Sequence, residues 1–181
     1  MHKLLLNGAI YEDFIREEIP KTRRFLWIVT ADIKDMHVDS GKGFQPFLAL
    51  LAELVERGVA VRLIHAKEPG PRFRDDFDRQ QSLIDNELFE RILCPRVHTK
   101  AIIIDGRLAF VGSPNLTGAG MGAKNARRRN FEAGMLFDDQ QQINELTNWI
   151  DSLYLGEFCR DCQRRQYCPD PIIENLQRDT V

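Results

Sequence analysis

The stretch His98–Asn115, HTKAIIIDGRLAFVGSPN, contains two apolar runs that are rich in β-branched and aromatic residues. The pair Asp105–Gly106 separates the two runs. An Asp-Gly pair in this setting is the strongest short-range signal for a β-hairpin with a two-residue type I′ turn. The sequence therefore predicts two antiparallel strands joined at this pair.

A two-residue turn also predicts the register of the hairpin. Ala101 would lie opposite Phe110, and His98 would lie opposite Ser113. Cross-strand partners share a face of the sheet, and side chains alternate along each strand. Four polar side chains are therefore expected on one face near the open end of the hairpin: His98, Lys100, Ser113 and Asn115.

An imidazole, an ammonium, a hydroxyl and a carboxamide on one face would form a suitable cradle for a phosphodiester. The ammonium and the neutral donors would bind the non-bridging oxygens, and the imidazole would serve covalent catalysis. A single His or Lys on a strand is usually only a solvated or hydrogen-bonded residue. The inference therefore depends on the convergence of the four groups. Asp105 falls in the turn and lies outside this set.

The spacing of this stretch resembles the HxKxxxxDxxxxxxGSxN signature of the phospholipase D superfamily. The resemblance implies an α/β fold in which a mixed, largely parallel β-sheet is flanked by helices and a β-hairpin carries the active-site motif. It also implies that Asp105 and Gly112 are structural and that the other signature residues are catalytic. The match covers all six signature positions: His98, Lys100, Asp105, Gly112, Ser113 and Asn115.

A second element downstream supports the resemblance. Superfamily members often carry an Asn-x-Glu whose carboxylate orients the histidine, and this chain has Asn130-Phe131-Glu132 at the start of an apolar run. The resemblance therefore implies this orienting role for Glu132. A glutamate near a strand is otherwise usually a surface charge.

The chain of 181 residues, 43% of them hydrophobic, is long enough for one domain with a substantial core. A buried strand is predicted at residues 24–33, an amphipathic helix at 44–57 and a second strand at 59–64. Strand, helix and strand of this length favour a parallel crossover in an α/β sheet.

The remaining segments complete the predicted organisation. Residues 34–43 are expected to form a loop, and residues 131–137 a strand. Helical structure is predicted at 9–19, 75–91 and 138–155, and a short helix or a frayed tail at 170–181. We expect a phospholipase D-like catalytic domain at residues 1–155 and a cysteine-containing segment at residues 156–181 that packs on the same domain.

A second His-x-Lys sequence, His65-Ala66-Lys67, does not extend into a second copy of the motif. Arg72 stands where the signature has Asp, no Gly-Ser-x-Asn follows, and Pro69-Gly70-Pro71 would interrupt a hairpin strand. We predict that His65 marks a strand end that runs into a loop. A substrate-lining role is the alternative.

One segment contains four positive charges within six residues. The net charge is −2, so electrostatic recognition of a polyanion depends on local clustering. Residues 117–129 leave the hairpin beside Asn115 and return at the Asn-x-Glu element. Phosphate backbones are bound largely through Lys and Arg, so we expect nucleic acid, with DNA favoured, although a charge run is usually only a solvated loop. The cluster consists of Lys124, Arg127, Arg128 and Arg129.

The first residues carry no targeting signal of adequate length. The three-leucine run Leu4–Leu6 is too short for the apolar region of a signal peptide and far too short to span a bilayer. We therefore expect a cytoplasmic location and no transmembrane segment.

Four cysteines form a second candidate site: Cys94, Cys159, Cys162 and Cys168. The last three have the spacing C-x2-C-x5-C, and clustered thiols in an intracellular protein more often bind metal or remain free than form disulfides. A structural Zn²⁺ ion or a [4Fe-4S] cluster would suit four thiolates. The spacing resembles the cysteine motif of the iron-sulfur exonucleases of bacterial helicase-nuclease and CRISPR adaptation systems. Free buried thiols and disulfides remain the alternatives.

The phospholipase D resemblance implies a mechanism that needs two histidines. One attacks phosphorus to give a covalent phosphohistidine, and a second, from another copy of the motif, protonates the leaving oxygen. This chain has one copy, so the resemblance implies a homodimer with a shared site. The expected function is a metal-independent endonuclease that needs no cofactor for catalysis. The sequence leaves open whether a partner protein directs it. The alternatives are a phosphatidyl or cardiolipin hydrolase and a catalytically silent nucleic-acid-binding module.

Overall fold

Seven strands form the central sheet in the computed structural model, which describes residues 1–34, 36–39, 41 and 43–172. The strands of the central sheet are β1 (His2–Leu6), β2 (Phe25–Thr30), β5 (Ala60–His65), β6 (Phe89–Leu93), β7 (Ala101–Ile104), β8 (Leu108–Gly112) and β9 (Ala133–Phe137). A separate two-stranded sheet contains β3 (His37–Asp39) and β4 (Phe44–Pro46). The strand order in the central sheet is β1-β9-β8-β7-β2-β5-β6.

The central sheet is mixed. Parallel pairing joins β2 to β5 and β5 to β6, as the predicted crossover requires. The hairpin β7–β8 pairs in antiparallel fashion with β2 on one side and with β9 on the other, and β9 pairs antiparallel with β1. The α/β class, the mixed sheet and the hairpin that carries the motif are therefore confirmed, with the parallel pairing confined to the β2, β5 and β6 half.

Helices cover both faces of this sheet. They are α1 (Gly8–Ile10), which continues as a π-helical segment (Tyr11–Ile15), α2 (Phe47–Glu56), α3 (Pro71–Asp78), α4 (Gln81–Asp85) and α5 (Gln140–Tyr154). The larger apolar core lies between the sheet and the first four helices, and its Phe14 and Phe110 rings stack with centroids 5.0 Å apart. The smaller core lies under α5. Among the described residues no helix is long and apolar enough to cross a bilayer.

One end of the sheet collects the ends of strands that run in both directions. The strands β1, β2, β5, β6 and β8 finish there, and β7 and β9 begin there. We call this the motif end, because His98 and Lys100 precede β7 and Ser113 follows β8. The fold therefore brings residues that are distant in the sequence to one end of the sheet.

The hairpin turn has the predicted type but a different register. Both Asp105 and Gly106 have positive φ angles, 56° and 67°, and the N–H of Arg107 donates to the carbonyl of Ile104 at 3.0 Å. Ala101 nevertheless pairs with Val111, and the N–H of Gly112 donates to the carbonyl of Lys100 in the same shifted register. The predicted register, which aligned Ala101 with Phe110 and His98 with Ser113, is therefore wrong by one residue.

The physical reason for this shift lies in Arg107. The predicted register would place it opposite Ile104, on the face that is buried in the larger core. Instead Ile104 pairs with Leu108, and Arg107 is left out of the ladder as a bulge. Leu108 and Phe110 then enter the core, and Arg107 stays half-exposed.

Asp105 ties the turn to the beginning of β2. Its carboxylate accepts hydrogen bonds from the backbone N–H groups of Arg23, Arg24 and Phe25, the closest at 2.7 Å from Arg24. The N–H of Asp105 donates back to the carbonyl of Phe25 at 2.9 Å. The turn and the first residues of β2 are thereby held as one unit.

Several elements differ from the sequence-based prediction. The strand β1, the strand β6 and the β3–β4 hairpin were not predicted, and the helical assignment of residues 89–91 is wrong because they belong to β6. The predicted helix at 9–19 is α1 with its π-helical continuation. The prediction for residues 170–181 lies largely outside the described residues, which end at Ile172.

Replacing Asp105 with Asn tests the anchoring of the turn. Asparagine tolerates positive φ, so the substitution removes the charged acceptor with little backbone strain. Because hydrogen bonds to charged groups contribute about 1.5–3 kcal/mol, we expect a loss of that order in the free energy of unfolding measured with urea. Asp75→Asn, at an exposed position of α3, is the control and should change the stability by no more than about 0.5 kcal/mol. Equal stability of both variants would contradict the anchoring role.

Candidate active site

His98 and Lys100 form the closest pair of motif side chains at the motif end. The ammonium of Lys100 donates to the carbonyl oxygen of His98 at 2.7 Å. It also lies 3.2 Å from Nδ1 and 3.4 Å from Nε2 of the same imidazole. The imidazole is exposed, whereas Lys100 is only 9% exposed. An imidazole that solvent can reach thus contacts the ammonium of a buried lysine.

The charge of Lys100 has no acidic partner in the part of the chain that the structure describes. Its hydrogen bonds there are all to His98, and no carboxylate forms an ion pair with it. A buried charge is costly unless it is paired. Such an ammonium therefore provides a ready binding site for an anionic group brought to His98.

Gly112 lets the next strand approach this pair. Its N–H donates to the carbonyl of Lys100 at 3.1 Å, which brings the end of β8 beside the beginning of β7. A Cβ atom at Gly112 would lie 2.6 Å from the carbonyl oxygen of Ala133 and 2.7 Å from the Cα of Gly134. Any other residue would push β9 away, so the geometry gives Gly112 a structural task.

Ser113 and Glu132 are hydrogen-bonded to each other. The hydroxyl of Ser113 donates to the Glu132 carboxylate and accepts from the N–H of Ala133 at 3.1 Å. The other carboxylate oxygen of Glu132 accepts from the side chain of Asn130 at 3.1 Å. Among the described residues Glu132 makes no hydrogen bond to His98, so its predicted orienting role stays a prediction.

Asn7 supports Glu132 and was not identified from the sequence. Its N–H donates to the carbonyl of Glu132 at 2.8 Å, and its side-chain oxygen accepts from the N–H of Glu132 at 3.0 Å. Asn7 has a φ of 51°, a positive value that is uncommon for residues other than Gly. The sequence feature that could have identified Asn7 is the Asn7-Gly8 pair, because an Asn-Gly pair is typical of a turn.

Asn115 is held at the end of β2. Its side-chain oxygen accepts from the N–H of Asp32 at 3.1 Å, and the following N–H, of Leu116, donates to the hydroxyl of Thr30 at 3.0 Å. The four motif groups are therefore arranged at the motif end as separate contacts: His98 with Lys100, Ser113 with Glu132, and Asn115 with Asp32.

Two further lysines lie beside Asn115 and were also missed. The Asp32 carboxylate is 3.2 Å from the ammonium of Lys67 and 3.6 Å from that of Lys34. Both lysine side chains are largely exposed, at 64% and 68%. They add positive charge to the motif end. The sequence did not indicate this, because each is an isolated lysine that follows a strand.

The sequence comparison identifies the family of this site. The profile described as "Cardiolipin synthase, PLD-like domain" matches residues 15–154, which is more than half of the chain. The chain belongs to the phospholipase D-like family. A comparison with curated protein sequences gave no significant match.

Solved structures agree with the phospholipase D-like fold. NucT from Helicobacter pylori is 16% identical and has a TM-score of 0.61, covering 84% of this chain and 94% of that chain. Nuc from Salmonella typhimurium, described as a phospholipase D family member, is 14% identical with a TM-score of 0.58, covering 83% and 93%. The archaeal chromatin protein TrmBL2 is 12% identical with a TM-score of 0.58, covering 84% and 51%. At these identities the likeness concerns the fold alone.

His65 is a buried structural residue of this phospholipase D-like domain. It is the last residue of β5, so the predicted strand end is confirmed. Its Nδ1 lies 2.8 Å from the carbonyl of Lys67, and its Nε2 accepts from Arg91 at 2.8 Å. Burial first, and then the neighbouring charge of Arg91, lower the pKa of His65 to about 4. The imidazole is therefore neutral at physiological pH.

The basic loop extends from the motif end as expected but does not expose all of its cations. Lys124, Arg127 and Arg128 are exposed. Arg129 is half-buried, and its guanidinium packs so closely on Gly8 that a Cβ there would lie 1.6 Å from Nη1. Its Nε has no hydrogen-bond partner among the described residues. The first three cations are thus better placed than Arg129 to bind a polyanion.

The four cysteines line one cavity of about 210 Å³, whose wall also includes His98. All four thiols are free and half-buried. In the described part of the chain no three His, Cys, Asp or Glu side chains are arranged closely enough to hold a metal ion. The lining residues from two distant parts of the chain thus include all four cysteines: Cys94, Cys159, Cys162 and Cys168.

Two of these thiols have shifted acidities. A backbone hydrogen bond from Arg164, helped by the Arg96 side chain, lowers the pKa of Cys162. Burial raises the pKa of Cys168, and the charges of Cys94 and Cys159 raise it further. Cys94 and Cys159 therefore lie close enough to Cys168 to affect its pKa.

The acidity of His65 predicts how stability depends on pH. Its pKa is about 4 in the folded chain and 6.5 ordinarily, so the unfolded chain binds the extra proton between these values. His65 therefore stabilises the fold fully above pH 6.5, and up to about 3 kcal/mol is lost as the pH falls towards 4. We expect His65→Asn to be less stable at neutral pH but to lose less stability on acidification in urea titrations.

The exposed His2 provides the control for this experiment. His2→Asn should retain the wild-type pH dependence, because that imidazole is solvated at the other end of the sheet. If the wild type and His65→Asn lost equal stability as the pH falls, His65 would not be the source of the pH dependence.

Proposed function

We propose that this phospholipase D-like chain is a nuclease that cleaves nucleic-acid phosphodiester bonds through a covalent phosphohistidine at His98, with no divalent metal ion. The observation that carries the proposal is the contact between the exposed imidazole of His98 and the buried ammonium of Lys100, which forms no ion pair with a carboxylate among the described residues. Together they offer a nucleophile and a cation at one solvent-accessible point.

The first step forms a phosphorus–nitrogen bond. A ring nitrogen of His98 attacks phosphorus, the bond from phosphorus to the leaving ester oxygen breaks, and that oxygen takes a proton from a second imidazole. Lys100 binds a non-bridging oxygen and offsets the charge that develops in the transition state. The side-chain nitrogen of Asn115 serves as a further donor, because its oxygen is already bound by the N–H of Asp32. Ser113, paired with Glu132, lines the same end.

The second step restores the imidazole. The second imidazole, now neutral, accepts a proton from water, the water oxygen attacks phosphorus, and the phosphorus–nitrogen bond breaks. The products are a phosphomonoester and a free hydroxyl, and both histidines return to their initial states. Lys100 supplies the positive charge that a metal ion supplies in two-metal nucleases, so no metal is assigned to the reaction.

The second imidazole is proposed to be His98 of another copy of the chain. Within one chain, His65 is buried and hydrogen-bonded on both ring nitrogens. His2 lies at the start of β1, at the other end of the sheet, and His37 belongs to the separate β3–β4 sheet. A homodimer that brings two motif ends together across a two-fold axis would provide both groups.

Nucleic acid is the favoured substrate because cations surround the motif end. The exposed residues Lys124, Arg127 and Arg128 follow Asn115 in the chain. Lys34 and Lys67 lie beside the carboxylate of Asp32, whose N–H donates to Asn115. The 96% exposed Phe131 stands beside Glu132, where an aromatic ring can stack on an unpaired base. TrmBL2 is described as binding DNA, which agrees with DNA as the favoured class.

A lipid substrate is the second candidate. The family description names a cardiolipin synthase, and the exposed Phe131 ring would also suit contact with acyl chains. The cations around Asn115 then would bind an anionic headgroup. A silent nucleic-acid-binding module is the third, and it would show no turnover on any substrate.

Hydrolysis in excess EDTA tests the proposal. Wild type and His98→Asn, purified identically, are compared on plasmid, single-stranded DNA, RNA and cardiolipin vesicles. We expect cleavage of nucleic acid by the wild type in chelator and a loss of roughly 10³-fold or more in the variant, because the nucleophile is removed. His2→Asn is the matched control and should retain full activity.

Three results would contradict the proposed nuclease. Vesicle hydrolysis without nucleic-acid cleavage would favour the lipid substrate. Salt-sensitive DNA binding without cleavage would favour the binding module. Equal cleavage by wild type and His98→Asn would place the activity elsewhere.

A further inference from the structure

The cysteine cavity lies outside the proposed reaction and joins two distant parts of the chain. Cys94 follows β6 directly, and the other three cysteines follow α5. The apolar part of the wall includes Trp149 and Leu153 from α5 and Phe158 from the segment after it. The cavity therefore lies between the body of the domain and its C-terminal segment.

Few contacts among the described residues hold this segment in place. The N–H of Leu93 donates to the Asp170 carboxylate at 2.8 Å, and the Cys168 sulfur lies 3.8 Å from the carbonyl of Leu93. Among its described residues after α5, the segment contains one short helical turn, Arg165–Tyr167. A segment of this kind buries little apolar surface, so an additional link to the domain would stabilise it.

The arrangement of the thiols indicates which link would fit. A single Zn²⁺ ion binds sulfur at about 2.3 Å, which requires neighbouring sulfur atoms to lie roughly 4 Å apart. No three potential ligands in the described residues converge in this way. The four cysteines instead line one cavity of about 210 Å³. A four-iron cube does not require its thiolates to converge on one ion, because each of its irons binds a thiolate of its own.

The charges around the cavity suit an anionic group. Four thiolates exceed the positive charge of the iron-sulfur core that they bind, so the complete cluster is negative. Among the described residues, Arg96 and Arg164 line the cavity together with a single carboxylate, that of Asp170, so cations are in excess there. Cations and hydrogen bonds to sulfur are among the features that tune protein-bound clusters.

We infer that Cys94, Cys159, Cys162 and Cys168 bind one [4Fe-4S] cluster. The cluster replaces the thiol protons and links the C-terminal segment to the loop between β6 and His98. Because Cys94 lies four residues before His98, the link also fixes the segment that leads into the proposed nucleophile. Its role is structural, and it is independent of whether the substrate is nucleic acid or lipid.

Anaerobic purification of the full chain, followed by reconstitution with iron and sulfide, tests the inference. We expect a brown protein with about four iron and four sulfide ions per chain. Each single Cys→Ser substitution should remove most of the visible absorption and the iron. Gln163→Ser, at an exposed position between two of the cysteines, is the matched control and should keep the wild-type spectrum and iron content.

If the cysteine variants fail to fold, reconstitution of the wild-type protein alone still tests whether the cluster forms. A folded wild type that remains colourless after reconstitution would overturn the inference. So would one tightly bound zinc ion per chain that is lost in the Cys→Ser variants, because zinc would then be the resident metal. A brown wild type whose iron survives all four substitutions would also overturn it.

Discussion

The carboxylate of Asp105 accepts hydrogen bonds from three backbone N–H groups, and the arrangement of the site depends on this contact. It joins the turn of the β7–β8 hairpin to the first residues of β2, at the end of the sheet opposite to the motif end. Because β7 pairs with β2 in a fixed register from that point, the position of the turn determines where His98 and Lys100 emerge. Asp105 contacts none of the proposed reacting groups. It nevertheless sets their positions, because it fixes the register between β7 and β2.

The motif end combines residues from strands of opposite direction, which explains why one short stretch of sequence contains only part of it. The hairpin supplies His98, Lys100 and Ser113, while the ends of β1 and β2 supply the contacts that hold Glu132 and Asn115. Within one chain these side chains form separate hydrogen-bonded pairs, and His98 supplies the one exposed imidazole among them. Since phosphoryl transfer through histidine needs a nucleophile and an acid, one chain provides half of the required set, which is why a two-fold assembly is proposed.

The sequence predicted the parts of the fold that depend on local patterns. The Asp-Gly turn, the crossover through α2 and the closing helix α5 all follow from periodicity and turn chemistry, and the structure confirms them. The register of the hairpin could not be obtained in this way, because it depends on excluding Arg107 from a core formed by other strands. The roles of Asn7 and Asp32 were hidden for a similar reason, since their partners lie more than eighty residues away in the chain.

Trapping the covalent intermediate on His98 is the most direct test of the account. The chain is mixed with a short single-stranded oligodeoxynucleotide in EDTA and quenched during turnover in alkaline denaturant, in which a phosphorus–nitrogen bond to histidine survives. Mass spectrometry of the digested protein should find the nucleotide adduct on the peptide that contains His98, at no more than about one adduct per two chains, because the second His98 acts as the acid. Turnover without any adduct on this peptide, or an adduct on another residue, would contradict the account.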